Sequence, residues 1–233
     1  MGLILNLETA TKICSVSLAE SGKVIAIEEE QHGEYIHAEK LTVFVSSVMK
    51  KAKLSLNEVD AIAVSMGPGS YTGLRIGVSA AKGLCYALDI PLIGVSTLKQ
   101  MALSAARDLK NRVPQNTLFC PMIDARRMEV YCAVYNNGNE AVEEVEAKII
   151  DPNSFNEILS AHPVYFFGDG ADKCKDTLST HPNAVFVDNY YPSAAGMAPL
   201  SEESFGSACF ENVAYFEPYY LKDFVTTIPK KKF

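Results

Sequence analysis

The sequence predicts an α/β protein of two lobes, each a mixed β-sheet flanked by helices. Three observations carry that expectation. The first hundred residues alternate strand and helix patterns in the order β-β-β-α-β-α-β-α, and hairpin strands followed by crossover helices make a mixed sheet covered on its faces. A second apolar hairpin begins near Leu118, as though the chain started again. The length, 233 residues, suffices for one large domain or two small ones.

Each element follows from its residues. Residues 3–7 are an apolar run, 8–12 a polar turn, and Cys14, Val16 and Leu18 alternate as a returning strand. After the Ser21-Gly22-Lys23 turn, Val24, Ala26 and Glu28 share one face of a third strand, with Ile25 and Ile27 on the other. A helix over residues 34–53 follows from Leu41, Phe44, Val45, Val48 and Ala52 at three- and four-residue steps. Residues 61–65 are a short buried strand, and a Gly/Pro loop leads into a helix over 72–88. A strand at 91–95 runs into Ser96-Thr97, which offer N-caps for a helix to about Leu109. In the second half, residues 118–123 and 130–135 are strands around the polar turn 124–129. Beyond them, 154–160 and 171–179 read as helices, and 164–167 and 184–187 as strands. A last helix runs from Ser193 or Leu200 to Tyr215, interrupted by Gly196 and Pro199, and Lys230-Lys231-Lys232 lie in a loose tail. The expected units are an N-terminal lobe over 1–110, a C-terminal lobe over 111–215 and a terminal segment over 216–233.

Laid on the first hairpin at an offset of 116 residues, the second places Asp124 on Glu8, Cys132 on Val16 and Val134 on Leu18. That offset is about half the chain, so one ancestral unit used twice is the simplest reading. Two unrelated hairpins in one α/β protein is the alternative.

Composition excludes several classes. Hydrophobic residues at 48% and charged ones at 21% exclude a disordered, collagen-like or disulfide-dense chain. No apolar run approaches the roughly 20 residues of a bilayer span, and the N-terminus lacks the basic start of a signal peptide. A cytoplasmic protein without a membrane partner is expected. Asp and Glu number 28 against 21 Lys and Arg, a net charge of -7. A chain this acidic does not grip nucleic acid by itself, so another chain would supply most of the positive surface. The six cysteines form no CxxC pair and read as buried free thiols of a reducing compartment.

The candidate chemistry is sparse. Gly67-Pro68-Gly69-Ser70-Tyr71-Thr72-Gly73 stands between a strand and a helix, where glycines let backbone approach an anion. It lacks the Lys-Ser/Thr pair of a P-loop and the G-x-G-x-x-G spacing. Phosphate binding and a tight strand-to-helix turn both remain open. The helix behind it is rich in small residues, and glycine inside a helix costs about 1 kcal/mol relative to Ala. Another backbone should therefore pack close: the protein's own sheet, or a helix of a second protein. The candidate partner contacts are Leu74, Arg75, Gly77, Val78, Ala81 and Lys82, completed by Leu41, Val45 and Val48 of the preceding helix.

His32 and His37 are five residues apart, wrong for two ligands on one helix face, so no metal site is expected. No serine has a marked His and acid to serve it, so no catalytic residue is assigned. Asp124, Arg126, Arg127 and Glu129 form a charged cluster, either a polar site or a solvated turn. Glu8, Thr9, Gly67, Gly69 and Asp124 would form the vestige of a nucleotide cleft. Actin-like ATPases hold nucleotide between two such hairpins, but the turns Thr9-Ala10-Thr11-Lys12 and Ala125-Arg126-Arg127-Met128 lack phosphate-cradling glycines.

The run Ile4-Leu5-Asn6-Leu7-Glu8-Thr9-Ala10-Thr11 with Cys14-Ser15-Val16 resembles the opening of the TsaB (YeaZ) family. That family is the non-catalytic subunit of bacterial tRNA threonylcarbamoyladenosine synthesis. Residues 67–77, Gly94-Val95-Ser96-Thr97-Leu98, the stretch from Ile123 through Tyr131, and Pro218-Tyr219-Tyr220-Leu221 are similar too. The match is dense to about residue 135 and sparse afterwards. The resemblance implies two actin-like (ASKHA, ribonuclease-H-like) lobes and a scaffold or adaptor role. It implies pairing with the catalytic paralogue TsaD through the first two helices, and an ATPase, TsaE, joining the pair. It further implies tRNA reached through the complex, a homodimer when alone, no intrinsic cofactor, and ATP or ADP at the complex interface. Glu8 stands where the family usually has Asp. The alternative function is an independent actin-fold enzyme, a small-molecule kinase or a glycoprotease-like metallopeptidase.

Overall fold

The computed structural model describes residues 1–31 and 36–222. The expectations for His32, for the helix start at Glu34 and for the Lys230–Lys232 tail lie outside the described residues.

Two five-stranded sheets repeat one plan. The first comprises β1 (Leu3–Glu8), β2 (Ile13–Glu20), β3 (Lys23–Gln31), β4 (Ala61–Gly67) and β5 (Leu92–Ser96), in the order β3-β2-β1-β4-β5. The second comprises β6 (Leu118–Asp124), β7 (Glu129–Tyr135), β8 (Ala141–Ile149), β9 (Val164–Phe167) and β10 (Ala184–Val187), in the order β8-β7-β6-β9-β10. In each, three antiparallel strands are followed by two parallel ones. The helices are α1 (His37–Ala52), α2 (Tyr71–Leu88), α3 (Thr97–Leu109), α4 (Asn156–Ala161), α5 (Lys175–Leu178) and α6 (Ala194–Gly206). Ser96 caps α3 as its position predicts, its Oγ accepting from Lys99 N.

Strand β8 escaped the sequence reading. It carries Glu143, Glu144, Glu146 and Lys148, residue types depleted in strands. It is an edge strand, where such charges block pairing with another chain.

The helices explain how the lobes hold together. α1 and α2 cover one face of the first sheet, packing Val45, Val48 and Val78 against Leu7, Val16 and Val64. α4 and α5 cover the matching face of the second, with Leu159 and Leu178 against Met122 and Phe166. The third helix of each lobe crosses over. Leu98, Met101 and Ala105 of α3 pack on Phe119, Ile123 and Phe167 of the second sheet. Ala194 and Met197 of α6 pack on Ile4, Ala63 and Ile93 of the first. Gly196 lets α3 and α6 approach, since a Cβ there would meet Ser104 Oγ and Gln100 Oε1.

Three expectations meet a different arrangement. Helix α6, which the expected bounds put in the 111–215 unit, lies on the first sheet, and the segment after it runs along that sheet. Glu211 N donates to Leu92 O (2.8 Å), Phe216 joins the first core, and Tyr219 N donates to Met66 O (2.7 Å). Gly196 and Pro199 do not interrupt α6; its small apolar face of Ala194, Met197 and Ala198 is fully buried. The offset of 116 holds for β2 and β7 but not for β1 and β6. Leu7 pairs with Val16 and Glu8 with Ser15, whereas Met122 pairs with Cys132 and Ile123 with Tyr131. Glu8 therefore matches Ile123, and Asp124 matches Thr9. A slip of one residue moves a side chain to the opposite face of a sheet. Glu8 accordingly meets Gln100 on α3, while Asp124 meets Lys173.

Candidate functional site

The turn between β1 and β2 is sealed. Glu8 is fully buried. Ala10 N donates to its Oε1 at 2.6 Å, and the Gln100 side chain reaches its Oε2. Burial pushes the Glu8 carboxyl up to about 7, against the lowering effect of hydrogen bonds from Ala10, Ser65 and Thr9. With Gln100 Nε2 on Glu8, the buried Gln100 Oε1 has no hydrogen-bond partner. A protonated Glu8 donates to that oxygen when the amide is reversed, which fits the raised affinity for a proton. Ser70 N donates to Ala10 O (2.6 Å), and His37 Nε2 donates to Thr11 O (2.7 Å). Burial lowers the His37 pKa, which keeps the ring neutral as that donor.

The glycines of α2 and its preceding loop lie against this turn. A Cβ on Gly69 would collide with Ala10 O, one on Gly73 with Thr9 O, and one on Gly77 with Thr9 Oγ1. Of the two open readings of the 67–73 loop, the structure builds the tight turn. Gly67 has φ +110°, Ser70 caps α2 through Gly73 N, and Ser70 N donates to Ala10 O. The close partner of the glycine stripe is likewise the protein's own β1–β2 turn.

The predicted partner contacts divide. Leu74, Gly77, Val78 and Ala81 of α2 and Val48 of α1 are buried inside the first lobe and do not line the groove between the two helices. Lys82 Nζ is occupied by the carbonyls of Ala214 and Phe216 at 3.0 and 3.1 Å. Arg75 is exposed, its guanidinium donating to Tyr71 Oη at 2.7 Å. Leu41 and Val45 do line an apolar groove of about 510 Å³ between α1 and α2, with Met49, Ala80, Gly83 and Leu84. Nothing lies within 4 Å of where a Gly83 Cβ would point. Ala80, Gly83 and Leu84 were missed because α2 is apolar nearly all round, and periodicity does not tell its inner face from its outer one.

The β6–β7 turn is open. Asp124 is exposed and paired with Lys173. Asp169 Oδ1 accepts from Asp124 N at 3.1 Å, and burial followed by the charge of Asp124 raises its pKa despite that hydrogen bond. Arg126 and Arg127 are exposed in left-handed backbone. No hydrogen bond or ion pair joins Asp124 to Glu8 among the described residues; Glu8 is buried and held by Ala10 N and Gln100, and Asp124 is exposed and held by Lys173. A separate cavity of about 760 Å³ lies between β3, α3 and the stretch before α6, and none of Glu8, Thr9, Gly67, Gly69 and Asp124 lines it.

Five cysteines are buried free thiols and Cys209 is exposed. Among the described residues, no group of three His, Cys, Asp or Glu side chains could hold a metal ion. No helix there is long and apolar enough to cross a membrane.

Comparison with known proteins places these features. Residues 34–229 match the family model of TsaD, tRNA N6-adenosine threonylcarbamoyltransferase. The chain is 34% identical over 227 residues to the tRNA threonylcarbamoyladenosine biosynthesis protein TsaB of Escherichia coli, covering 94% of each. It is 33% identical to the protein of that name from Bacillus subtilis, covering 86% of this chain and 87% of that one. The solved structure of YeaZ from Pseudomonas aeruginosa superposes with a TM-score of 0.75 at 27% identity, over 95% of this chain and all of that one.

Proposed function

The chain belongs to the TsaB (YeaZ) family, and on that premise we propose that it is a scaffold subunit of tRNA threonylcarbamoyladenosine synthesis. It pairs with the catalytic paralogue TsaD and supports transfer of a threonylcarbamoyl group to the adenosine beside the tRNA anticodon. The observation that carries this reading is the α1–α2 groove, apolar, open to solvent and floored by Leu41, Val45 and Met49. Exposed apolar grooves with small residues at their centre suit a partner helix. The β1–β2 turn, filled by glycine backbone, supports a structural rather than a nucleotide-holding role for this lobe.

The same reading makes TsaE the third member of the assembly and TsaD the chain that carries the transfer chemistry. ATP or ADP binds at the interface of the complex, not in this chain alone. Without TsaD, the groove pairs two copies of this chain. The complex works in the cytoplasm. These relatives favour a subunit over an independent kinase or metallopeptidase.

Ser46 is exposed on the rim of the groove, so Ser46→Arg leaves the core intact while placing a charge in it. The variant is expected to keep the thermal midpoint of the parent, to lose co-purification with TsaD, and to lower threonylcarbamoyladenosine in cellular tRNA. Unchanged pairing and unchanged tRNA modification would refute this assignment of the groove.

A further inference from the structure

We propose that the β6–β7 turn is a phosphate-contacting surface for tRNA, carried by Arg126 and Arg127 and continued by Arg75. This rests on the reading that the chain serves tRNA modification, and it goes beyond it by giving this subunit its own contact with the nucleic acid.

The first observation is conformational. Arg126 and Arg127 have φ of +71° and +50°, a region that side chains with a Cβ disfavour and glycine or asparagine accept. A turn selected only to join two strands would hold those residues. Strained backbone at an exposed position is a reason to look for function.

The second observation is the local charge balance. The two acids that flank the arginines already have lysines. Asp124 pairs with Lys173 and Glu129 with Lys222, and Lys173 Nζ also reaches Glu129 O. Arg126 N is held by Asp124 Oδ1 at 2.9 Å, but that is a backbone contact. Neither arginine side chain makes an ion pair or hydrogen bond among the described residues. Two exposed guanidinium groups are left without counter-charge in a chain whose net charge is -7. Guanidinium matches phosphate oxygens in geometry and charge.

The third observation is position. Lys222, on Glu129, stands two residues after Tyr220, whose ring packs on Tyr71 with centroids 5.2 Å apart in the strap over residues 216–222. Tyr71 opens α2, one of the two helices that form the partner groove, and Arg75 stands one turn further along it. Glu217 is the strap acid whose charge reaches Tyr220. Lys222 and Tyr220 therefore link the arginine turn to the start of the partner-facing helix. A nucleic acid held by a chain docked on α1 and α2 would pass beside it. The acidic remainder of the surface explains why this contact counts only within the complex.

The test uses the complex with TsaD and a fluorescently labelled, unmodified tRNA transcript, titrated at several salt concentrations. Arg126→Gly/Arg127→Gly is chosen because glycine relieves the left-handed backbone. The thermal midpoint should stay level or rise, and pairing with TsaD should not change. Affinity for the transcript should fall about tenfold, and the slope of log affinity against log salt should become shallower by roughly one to two. Arg126→Lys/Arg127→Lys, which keeps the charge, should stay near the parent slope. Parent-like affinity and slope in the glycine variant would overturn the proposal while leaving the function intact. A parent complex that neither binds nor modifies tRNA would overturn both.

Discussion

The β1–β2 and β6–β7 turns end the corresponding hairpins of two lobes with the same strand order, yet one is sealed and the other open. Both receive a glycine from the loop that follows the fourth strand. A Cβ on Gly69 would collide with Ala10 O of the β1–β2 turn, and one on Gly168, at φ +103°, would run into Met122 O at the end of β6. The lobes diverge immediately afterwards. In the first, an 18-residue helix follows, and Gly73 and Gly77 on it close down over Thr9. In the second, a short 3-10 turn and the four-residue α5 follow, and among the described residues no helix covers residues 125–128. One helix length thus converts a hairpin turn from a surface into core. The duplicated lobe retained for structure then differs from the one that keeps its polar turn in solvent.

The most severe way to break this comparison is to reopen the sealed turn. Gly73→Ala adds one methyl group, and helix propensity alone would make it stabilising by about 1 kcal/mol. Here the methyl group meets the Thr9 carbonyl and the His37 ring, and backbone cannot turn aside as a flexible side chain can. Loss of more than about 3 kcal/mol is expected, read as a lower urea midpoint at constant slope. A neutral or stabilised variant would mean that α2 does not clamp the turn.

Glu8 sharpens the same contrast through pH. Its carboxyl titrates near 7 in the folded chain, against an ordinary value of 4.5. The folded state thus binds the proton more tightly than the unfolded one. Its contribution to stability is complete below about 4.5 and is lost as pH rises through about 7. Glu8→Gln keeps the neutral partner for Gln100 and removes the titration. At pH 8 the variant should be more stable than the parent, by up to about 3 kcal/mol, and the gap should narrow as pH falls and close below about 4.5. Parallel stability curves for the two proteins across that range would show that Glu8 is not buried as described. Asp124, in the open turn, has no such burial.

How much of this was legible in the sequence depends on which distances each signal covers. Apolar alternation located both hairpins, and Ser96 marked the start of α3, because these signals act within a few residues. The small residues of α2 correctly announced a close backbone, but not whose. Thr9 lies more than sixty positions before Gly73, and nothing local in the chain links them. The register failed for a similar reason. Placing Glu8 on Asp124 needs the cross-strand partners, and the one-residue difference between the hairpins shows only in the pairs Glu8–Ser15 and Ile123–Tyr131. The return of α6 to the first sheet is a long-range exchange, and its composition of small apolar residues fits either lobe. Strand β8 was hidden by carboxylates that protect an edge.

The smallest expected effect separates the two sides of α2. Gly83 lies ten residues after Gly73 on the same helix, but nothing stands within 4 Å of where its Cβ would point. Gly83→Ala should therefore follow helix propensity and stabilise the isolated chain by about 1 kcal/mol. If the groove receives a partner helix at close range, the same methyl group stands between the two backbones. Affinity for TsaD should then fall as the thermal midpoint of the free chain rises. Opposite signs from one substitution distinguish a glycine kept for an absent neighbour from one kept for a present neighbour, as Gly73 is. If both quantities rise together, the partner does not come close at Gly83, and the contact must lie further along α1.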